Sequence, residues 1–338
     1  SQTTSIGGVT YTTGYTYDAY SRPLTLTYPI TGFKLYHVYD PYGHLTEVRQ
    51  DTATGLRYWK ADIFDAHSRL TQEALGNGLI STRAYDHATG DLLTIQTGPS
   101  GSPTAVQNSS FSFDALDNLT ARGWTDGTTM YSETYAYDTL NRLTQVTGPA
   151  NKTYAYAPNG NLTSKTDVGT YTYPTNGTRP HAVLSIAGTI NTGFTYDANG
   201  NLLSGNGRTI TYTSFNKPKT IAQGSTTSTL TYDAGFNRLI KSNSSGTTIY
   251  IGKLYERLTS GSTTTQKHYI YAGPNLVGMY SLANGTPITR YFHTDHLGSV
   301  DTITNETGGV VQRLSYDAWG KRRNVNGTDA TAITAQTT

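Results

Sequence analysis

Apolar and polar residues alternate along much of the chain, and the apolar partners are mostly aromatic. A spacing of two places both side chains on the same face of a β-strand. Pairs with this spacing are Tyr15 and Tyr17, Phe111 and Phe113, Tyr135 and Tyr137, Tyr154 and Tyr156, Phe194 and Tyr196, Leu230 and Tyr232, and Tyr269 and Tyr271. Good helix formers never accumulate over a long run, whereas Tyr, Thr and Gly fit pleated strands and turns. The pattern predicts an all-β protein.

An aromatic residue followed by aspartate recurs along the chain, with copies roughly 16 to 28 residues apart, a spacing typical of repeat architectures. The copies are Tyr17–Asp18, Tyr39–Asp40, Phe64–Asp65, Tyr85–Asp86, Phe113–Asp114, Tyr137–Asp138, Tyr196–Asp197, Tyr232–Asp233 and Tyr316–Asp317. Weaker copies are Tyr156–Ala157, Tyr173–Pro174, Tyr212–Thr213, Tyr271–Ala272 and Phe292–His293.

Each copy is followed by a turn signal and then by the start of a second strand. The third residue after the aspartate is small or polar, as at Gly43, Ser68, Asp117, Asn141 and Gly200. An aspartate that opens a turn can accept a backbone N–H two residues ahead, while Gly and Asn tolerate positive φ. Leu-Thr then usually opens the returning strand. The unit is predicted to be a β-hairpin, with its aspartate in a structural role.

The segment "YDANGN" resembles half of a calcium loop, because Asp197, Asn199 and Asn201 occupy alternate positions. Position 202 is leucine, however, where the calcium loop requires glycine. Equivalent loops such as "DAHSR" and "DTLNR" lack the further oxygen ligands. We therefore interpret Asp197 as a turn residue and predict no metal site.

Composition narrows the function classes. Charged residues make up 14% of the chain and the net charge is +2, so nothing favours nucleic acid or an anionic membrane as a partner. The absence of cysteine excludes disulfides and thiolate chemistry. No run approaches the roughly 18 apolar residues of a membrane span. The start, "SQTTSIGGVTYTTG", lacks a signal-peptide profile, and we expect an excised piece of a larger protein.

The densest polar cluster is "HTDHLGS". Its two histidines and aspartate could bind zinc, and with Ser299 they could form a hydrolase centre. The same segment also reads as a hairpin turn around Gly298, and we favour this interpretation. On one strand, His293 and Asp295 would share a face while His296 points to the other.

Other candidate residues give weaker signals. Carboxylates such as Glu47, Asp51, Glu73 and Glu133 could pair for glycoside hydrolysis, but any β-protein offers such pairs. The basic cluster 321–323 is interpreted as solvated. Exposed tyrosine rows could stack on sugars, although core packing explains most tyrosines at repeat positions. We predict no catalytic residue and no cofactor.

The repeat resembles the YD repeat of the rearrangement-hotspot (Rhs) family. The segments "YDPYGHLTEV", "YDTLNRLTQVTG", "YDANGNLLSGNGRTITYTSFNKP" and "YDAGFNRLIKS" carry this resemblance. The block from Arg290 to Arg323 resembles the carboxy-terminal end of the Rhs repeat region. Its core consists of Asp295, His296, Leu297, Gly298 and Ser299. The resemblance covers residues 11–323.

The resemblance implies a fold and a role. In Rhs proteins, Tc-toxin C components and teneurins, YD repeats form a long β-strip that spirals into a hollow shell. In bacterial members the shell encloses a carboxy-terminal effector, which an aspartate-containing autoproteolytic segment with a D-P-x-x-G motif separates from the shell. This chain lacks that motif, so no residue inherits the protease role. The expected function is a non-enzymatic shell segment, secreted or at the cell surface and of bacterial origin.

Domains and partners follow as expectations. Residues 1–289 would form the hairpin array, 290–323 the family block continuing the same sheet, and 324–338 a polar tail toward a missing segment. The expected partners are the effector cargo, the remaining shell repeats and, through unpaired strand edges, further copies of the chain. An adhesive or glycan-binding surface protein is the main alternative, and a β-solenoid carbohydrate enzyme is the third.

Overall fold

The structure is a computed structural model that describes residues 1–330, and every regular element within them is a β-strand. The first eighteen strands are β1 (Gln2–Ile6), β2 (Val9–Tyr17), β3 (Pro23–Thr27), β4 (Lys34–Tyr39), β5 (Leu45–Gln50), β6 (Arg57–Phe64), β7 (Leu70–Leu75), β8 (Ile80–Tyr85), β9 (Leu92–Gly98), β10 (Gln107–Phe113), β11 (Leu119–Thr125), β12 (Met130–Tyr137), β13 (Leu143–Thr147), β14 (Lys152–Tyr156), β15 (Leu162–Lys165), β16 (Gly169–Thr172), β17 (Ser185–Ala187) and β18 (Thr192–Gly193).

The remaining strands are β19 (Thr195–Tyr196), β20 (Leu202–Gly205), β21 (Arg208–Tyr212), β22 (Pro218–Gln223), β23 (Thr226–Tyr232), β24 (Arg238–Asn243), β25 (Gly246–Ile251), β26 (Tyr255–Ser260), β27 (Thr263–Ala272), β28 (Asn275–Ala283), β29 (Thr286–Thr294), β30 (Val300–Thr304), β31 (Val310–Arg313), β32 (Ser315–Tyr316) and β33 (Arg322–Arg323). The prediction of an all-β protein is confirmed.

Sequence neighbours pair antiparallel throughout, so the chain forms a meandering strip. Strands β1 to β18 make one eighteen-stranded sheet, β19 to β31 make a thirteen-stranded sheet, and β32 pairs with β33 alone. Short connections dictate this order, because two strands joined by a tight turn can pair only antiparallel. The predicted array of antiparallel β-hairpins is confirmed.

The second sheet lies over one face of the first. Tyr11 and Tyr58 of the first sheet, and Tyr28 directly after β3, are at most 1% exposed and share a core cluster with Tyr255 and Ile270 of the second sheet. Tyr28 donates its hydroxyl hydrogen to the Tyr269 carbonyl across this interface. The large apolar side chains of the amino-terminal hairpins are therefore buried by strands more than 200 residues later in sequence.

The two layers run in the same direction. From the start to the end of the first layer, the contacting residues of the second layer also advance along the sequence, from position 268 to position 329. The pairs in contact are Thr31 with His268, Asn77 with Thr304, Gln107 with Asp301, Arg122 with Tyr316, Glu133 with Arg323, and Lys152 with Asp329. The sequence separation falls from 237 to 177 residues along this series. The strip thus curls back over its own beginning as a tightening spiral.

The middle of the strip is largely uncovered. Within the described stretch 166–254 no residue falls in the buried class, and only its end, at Ile249, Ile251 and Leu254, packs against the core between the layers. Strands on either side of the break between β18 and β19 still pair antiparallel with their neighbours. The expected boundary between residues 289 and 290 falls inside β29, and the expected block 290–323 includes the separate pair β32–β33. The division into domains remains a prediction, and residues 331–338 of the expected tail lie outside the described residues.

Candidate functional site

The repeat turns are closed by their aspartates. In the first, Asp18 N–H donates to the Arg22 carbonyl and Ser21 N–H to the Asp18 carbonyl, both at 3.0 Å. Asp18 Oδ1 also accepts the N–H groups of Tyr20 (2.9 Å) and Arg22 (3.0 Å). The same pair of side-chain bonds occurs at Asp40, Asp65, Asp114, Asp138, Asp197, Asp295 and Asp317. These aspartates hold the chain in its turn.

Two predicted turns depart from this pattern. Asp86 accepts the N–H groups of Ala88 and Thr89, and its turn is one residue longer, since Gly90 N–H donates to the Asp86 carbonyl. Asp233 Oδ1 accepts the N–H of Asn237 at 2.9 Å. Asp197, the residue with the calcium-like spacing, receives Asn199 N–H, Asn201 N–H and the Asn201 amide. Its oxygens are therefore occupied by its own turn.

The third residue after the aspartate adopts positive φ. It is 61° at Ser21, 95° at Gly43, 58° at Asn141 and 62° at Phe236. A turn that ends in a left-handed residue forms a bulge, and the ladder slips by one residue beside each aromatic position. Phe236 is the unusual member, because a bulky side chain in this region is strained.

The repeat tyrosines connect successive hairpins. Tyr137 Oη donates to the Leu119 carbonyl at 2.9 Å, and Tyr156 Oη to the Leu143 carbonyl at 2.8 Å. In each case the acceptor opens the returning strand of the preceding hairpin. The same bond joins Tyr39 to Pro23, Tyr173 to Leu162, Tyr196 to Val183, Tyr212 to Leu202, Tyr232 to Pro218 and Tyr316 to Val300.

The other predicted aromatic positions behave differently. Tyr17 is 58% exposed and Phe64 is 42% exposed. Tyr85 lies under the guanidinium of Arg69, whose Cζ is 4.1 Å from the ring centroid, and Phe113 is half-buried. Phe64 and Phe113 have no hydroxyl to donate, no repeat turn precedes Tyr17, and Tyr85 contacts Arg69 through its ring face.

Arginine links some turns to the next repeat. Arg142 Nε donates to Asp138 Oδ2 at 2.7 Å, and its Cζ lies 4.7 Å from the centre of the Tyr156 ring. Similar triads join Asp18, Arg22 and Tyr39, and Asp65, Arg69 and Tyr85. The hydrogen bonds from the Arg142 side chain and its backbone N–H lower the pKa of Asp138. The carboxylate thus stays ionised and holds the arginine over the next tyrosine.

The family block contains a further turn of the same kind. Asp295 N–H donates to the Ser299 carbonyl at 2.8 Å, Gly298 has φ of 82°, and Leu297 is the exposed turn tip. Thr294, opposite Val300, occupies the aromatic slot of this repeat. The assignment of Phe292–His293 as the repeat copy was therefore wrong by two residues.

The two histidines of the block lie between the layers. His293 is 4% exposed, its Nε2 lies 3.0 Å from Thr304 Oγ1, and burial lowers its pKa to about 3. The His296 ring packs on Phe111 with centroids 4.5 Å apart. Asp295 Oδ1 is already occupied by two turn amides. Within residues 1–330 no group of three His, Cys, Asp or Glu side chains is placed to hold a metal ion.

A buried carboxylate on β12 is the centre of a cluster of charged and polar side chains. Glu133 on β12 is 1% exposed. Arg122 donates to Glu133 Oε1 from Nε (2.9 Å) and Nη2 (2.7 Å). Arg323 donates to Oε2 from Nη1 (2.8 Å) and to Oε1 from Nη2 (3.0 Å), and Tyr135 Oη donates at 2.8 Å. The interpretation of 321–323 as solvated was therefore wrong for Arg323, which is 6% exposed.

Electrostatics keep this site charged. Burial alone would raise the pKa of Glu133, but the bonds from Arg323 and the charge of Arg122 outweigh it, and the pKa is lowered. Asp301 differs, because burial raises its pKa to about 7, although Gln107 Nε2 donates to its Oδ2 at 2.7 Å. Sequence reasoning missed Glu133 as an inward residue, although its spacing of two from Tyr131 and Tyr135 was the available signal.

A cavity of about 620 Å³ lies between the layers beside the family block. Its wall includes Glu73, Arg83 and His293. Arg83 Nη2 bonds Glu73 Oε1 at 2.8 Å, and Trp59 Nε1 donates to Glu73 Oε2 at 2.6 Å. These charged groups are paired within the wall, as buried charges require.

Known structures share this fold. Over 93% of the chain, a chain of the Photorhabdus luminescens Tc holotoxin pore with a mutated TccC3 aligns with a TM-score of 0.74 at 18% identity. A chain of the TcdB2–TccC3 crystal structure aligns with a TM-score of 0.75 at 17% identity, and one from the complex without the hypervariable carboxy-terminal region gives 0.71 at 18%. The alignments span 18% of those chains.

No curated protein matches the chain, and none of the described residues form a helix long and apolar enough to cross a membrane. The family described as the teneurin YD-shell matches residues 102–328, two-thirds of the chain. With its aspartate-capped turns and tyrosine-linked hairpins, the chain belongs to the YD-shell family of YD-repeat proteins.

Proposed function

We propose that the chain forms part of the wall of a hollow YD-repeat shell that encloses a carboxy-terminal effector and helps to deliver it. The observation that carries the proposal is the curl of the strip, whose second layer follows the first in the same direction over contacts 237 to 177 residues apart. A strip that buries one face against its own continuation can form a wall.

The role inferred for the wall is mechanical and non-enzymatic. The turn aspartates, most of the repeat tyrosine hydroxyls and the buried Glu133 take part in hydrogen bonds that hold strands together. The partners are the effector and the remaining repeats of the shell, and the expected place of action is outside the cell or at its surface. A formal net charge of +2 supports no role in binding nucleic acid.

The test uses the protein made from its complete natural reading frame. We expect intact-mass and peptide-mapping analysis to find a carboxy-terminal fragment, cleaved beyond Thr338, that co-purifies with the repeats. We also expect that fragment to resist added protease until the repeats are unfolded. A single chain with nothing substantial beyond Thr338, or a fragment digested at the rate of the isolated effector, would refute enclosure.

A glycan-binding surface role is the second candidate, and the turn tips favour it. Tyr20 is 79% exposed and Tyr42 is 87% exposed, on neighbouring turns of the same strip edge. Exposed aromatic faces can stack on sugars. Saturable binding on a glycan array, lost in a Tyr20→Ala and Tyr42→Ala double variant but kept in Leu116→Ala, would support adhesion.

A further inference from the structure

The last described segment of the chain is attached differently from the rest. Residues 315–329, here called the clasp, contain β32 and β33, which pair only with each other. The thirteen-stranded sheet ends before them at β31. The clasp therefore contributes no strand to either large sheet. Its first turn is held to the second layer by Tyr316, whose hydroxyl donates to the Val300 carbonyl, and the rest of it contacts β11 to β15.

A single arginine is the centre of those contacts. Arg323 makes two bonds to Glu133, at 2.8 and 3.0 Å, and its Cζ lies 5.0 Å from the centre of the Trp124 ring. Trp124 Nε1 donates to the Val325 carbonyl at 2.7 Å. A planar guanidinium that meets a carboxylate at its edge and an aromatic ring at its face is held in one orientation.

Clasp residues before and after Arg323 also contact β11 and β14. Lys152, whose side chain is 3% exposed, bonds Asp329 Oδ1 at 2.7 Å. The Trp319 ring lies 5.5 Å from the Tyr154 ring. Gly327 has φ of 88°, and a Cβ there would lie 2.8 Å from Trp124. Contacts therefore extend along the clasp on both sides of Arg323.

The surface around Glu133 would remain balanced in charge if the clasp detached from it. Arg122 makes its own two bonds to Glu133 Oε1, and Tyr135 makes a third bond to the same oxygen. If Arg323 left, Glu133 would keep a cationic partner and water could reach Oε2. A carboxylate with no other partner would instead be a buried unpaired charge.

We propose that β11 to β15 carry a docking site for an arginine-bearing segment, anchored by Glu133 and Trp124. In this structure the chain's own clasp occupies it and can leave it without unpairing either large sheet. Leu314, whose N–H donates to the Asp301 carbonyl at 2.6 Å, is the last residue before the clasp and stays with the second layer. The inference concerns this attachment and does not depend on an enclosed effector.

The test is hydrogen exchange on the full chain carrying Arg323→Ala. We expect amide exchange across 315–329 to accelerate on the order of 100-fold or more, because a buried charge pair is lost, while exchange in β27 to β29 stays unchanged. Added ethylguanidinium, which can refill the space over Trp124, should restore protection in Arg323→Ala. Ethylammonium should not, and the exposed Arg208→Ala is the matched control.

Three results would overturn the proposal. The first is unchanged exchange of 315–329 in Arg323→Ala. The second is equal acceleration in β27 to β29, which would make the clasp inseparable from the fold. The third is rescue by ethylammonium as strong as that by ethylguanidinium. If Arg323→Ala does not fold, Asp329→Asn removes a contact whose carboxylate side chain is 42% exposed, and exchange must still accelerate in the clasp alone.

Discussion

The hairpins β2 to β7 and the hairpins β19 to β24 have the same repeat but very different surroundings. In the first group Tyr11, Tyr58 and Val48 are at most 1% exposed, because the second layer covers them. In the second group no residue is in the buried class. Both groups nevertheless have capped turns, bulged ladders and tyrosine hydroxyl bonds.

The comparison separates two sources of structure. The repeat specifies the strip through contacts within a hairpin or between neighbours, such as Tyr232 with Pro218. Residues outside the repeat pattern, such as His268 and Glu133, specify where the strip closes on itself. Exposed backbone ladders with little apolar burial are the first to open in folded proteins. We therefore expect β19 to β24 to be the least protected part of the described chain.

The largest effect should come from disrupting the contact between the two layers, here called the closure, at the buried charge of Glu133. Glu133→Gln leaves two cations facing a neutral amide, and we expect unfolding free energy to fall by about 3–5 kcal/mol. Urea denaturation followed by fluorescence measures this loss.

The matched control for this variant is Glu306→Gln. Its carboxylate pairs with Arg290 at 3.4 Å but is 50% exposed, so the expected change is about 0–1 kcal/mol. Equal losses in the two variants would mean that burial does not set the strength of the closure.

The second effect compares one residue type in the two regions. Ile270→Ala empties a position that is 0% exposed between the layers, and we expect a loss of about 2–5 kcal/mol. Ile210→Ala removes the same atoms from a half-buried position on the uncovered β21, where about 1 kcal/mol is expected. Thermal and urea unfolding of both variants test the difference, and a similar loss at the two sites would contradict the assigned layering.

The third effect is a pH dependence confined to the covered region. The His268 ring is buried among Tyr28, Tyr255 and Tyr280, and burial lowers its pKa to about 4. The unfolded chain binds the proton first, near pH 6.5, so stability falls as pH drops from there toward 4. We expect about 2 kcal/mol less stability from this residue at pH 5 than at pH 7.

His268→Gln carries no titrating ring and should reduce that dependence. The measurement is the free energy of unfolding of the native chain and the variant at pH 7 and pH 5. If the native chain and His268→Gln lose the same free energy of unfolding between pH 7 and pH 5, His268 is accessible to protons in the folded state. The assignment of His268 as buried would then be wrong.

Much of the strip could be predicted from sequence, because its determinants are local. The turn at Asp138 needs only a carboxylate, a left-handed Asn141 and a Leu to open the next strand, all within a few residues. The slot at Thr294–Asp295 was missed because threonine replaces the aromatic residue, while the aspartate and Gly298 carry the turn without it.

The closure could not be predicted in the same way. Glu133 and Arg323 are 190 residues apart, and either residue alone reads as a surface charge. Alternation places Glu133 on the same face as Tyr135, but only the second layer turns that face into an interior. Which residues of the two layers meet depends on how far the strip curves with each hairpin. A local sequence pattern does not specify this curvature.

The smallest predicted effect tests the local rule itself. Tyr232→Phe keeps the ring and removes the hydroxyl that donates to the Pro218 carbonyl at 2.8 Å, so a loss of about 0.5–1.5 kcal/mol is expected. Tyr17→Phe removes a hydroxyl from a ring that is 58% exposed at the first repeat and should change stability little. Native-state hydrogen exchange of β22 to β24 resolves the difference, since local opening reports the bond without global unfolding. Equal protection in the two variants would show that ring packing holds neighbouring hairpins together. The hydroxyl bonds would then form as a consequence of that packing and would not stabilise the strip.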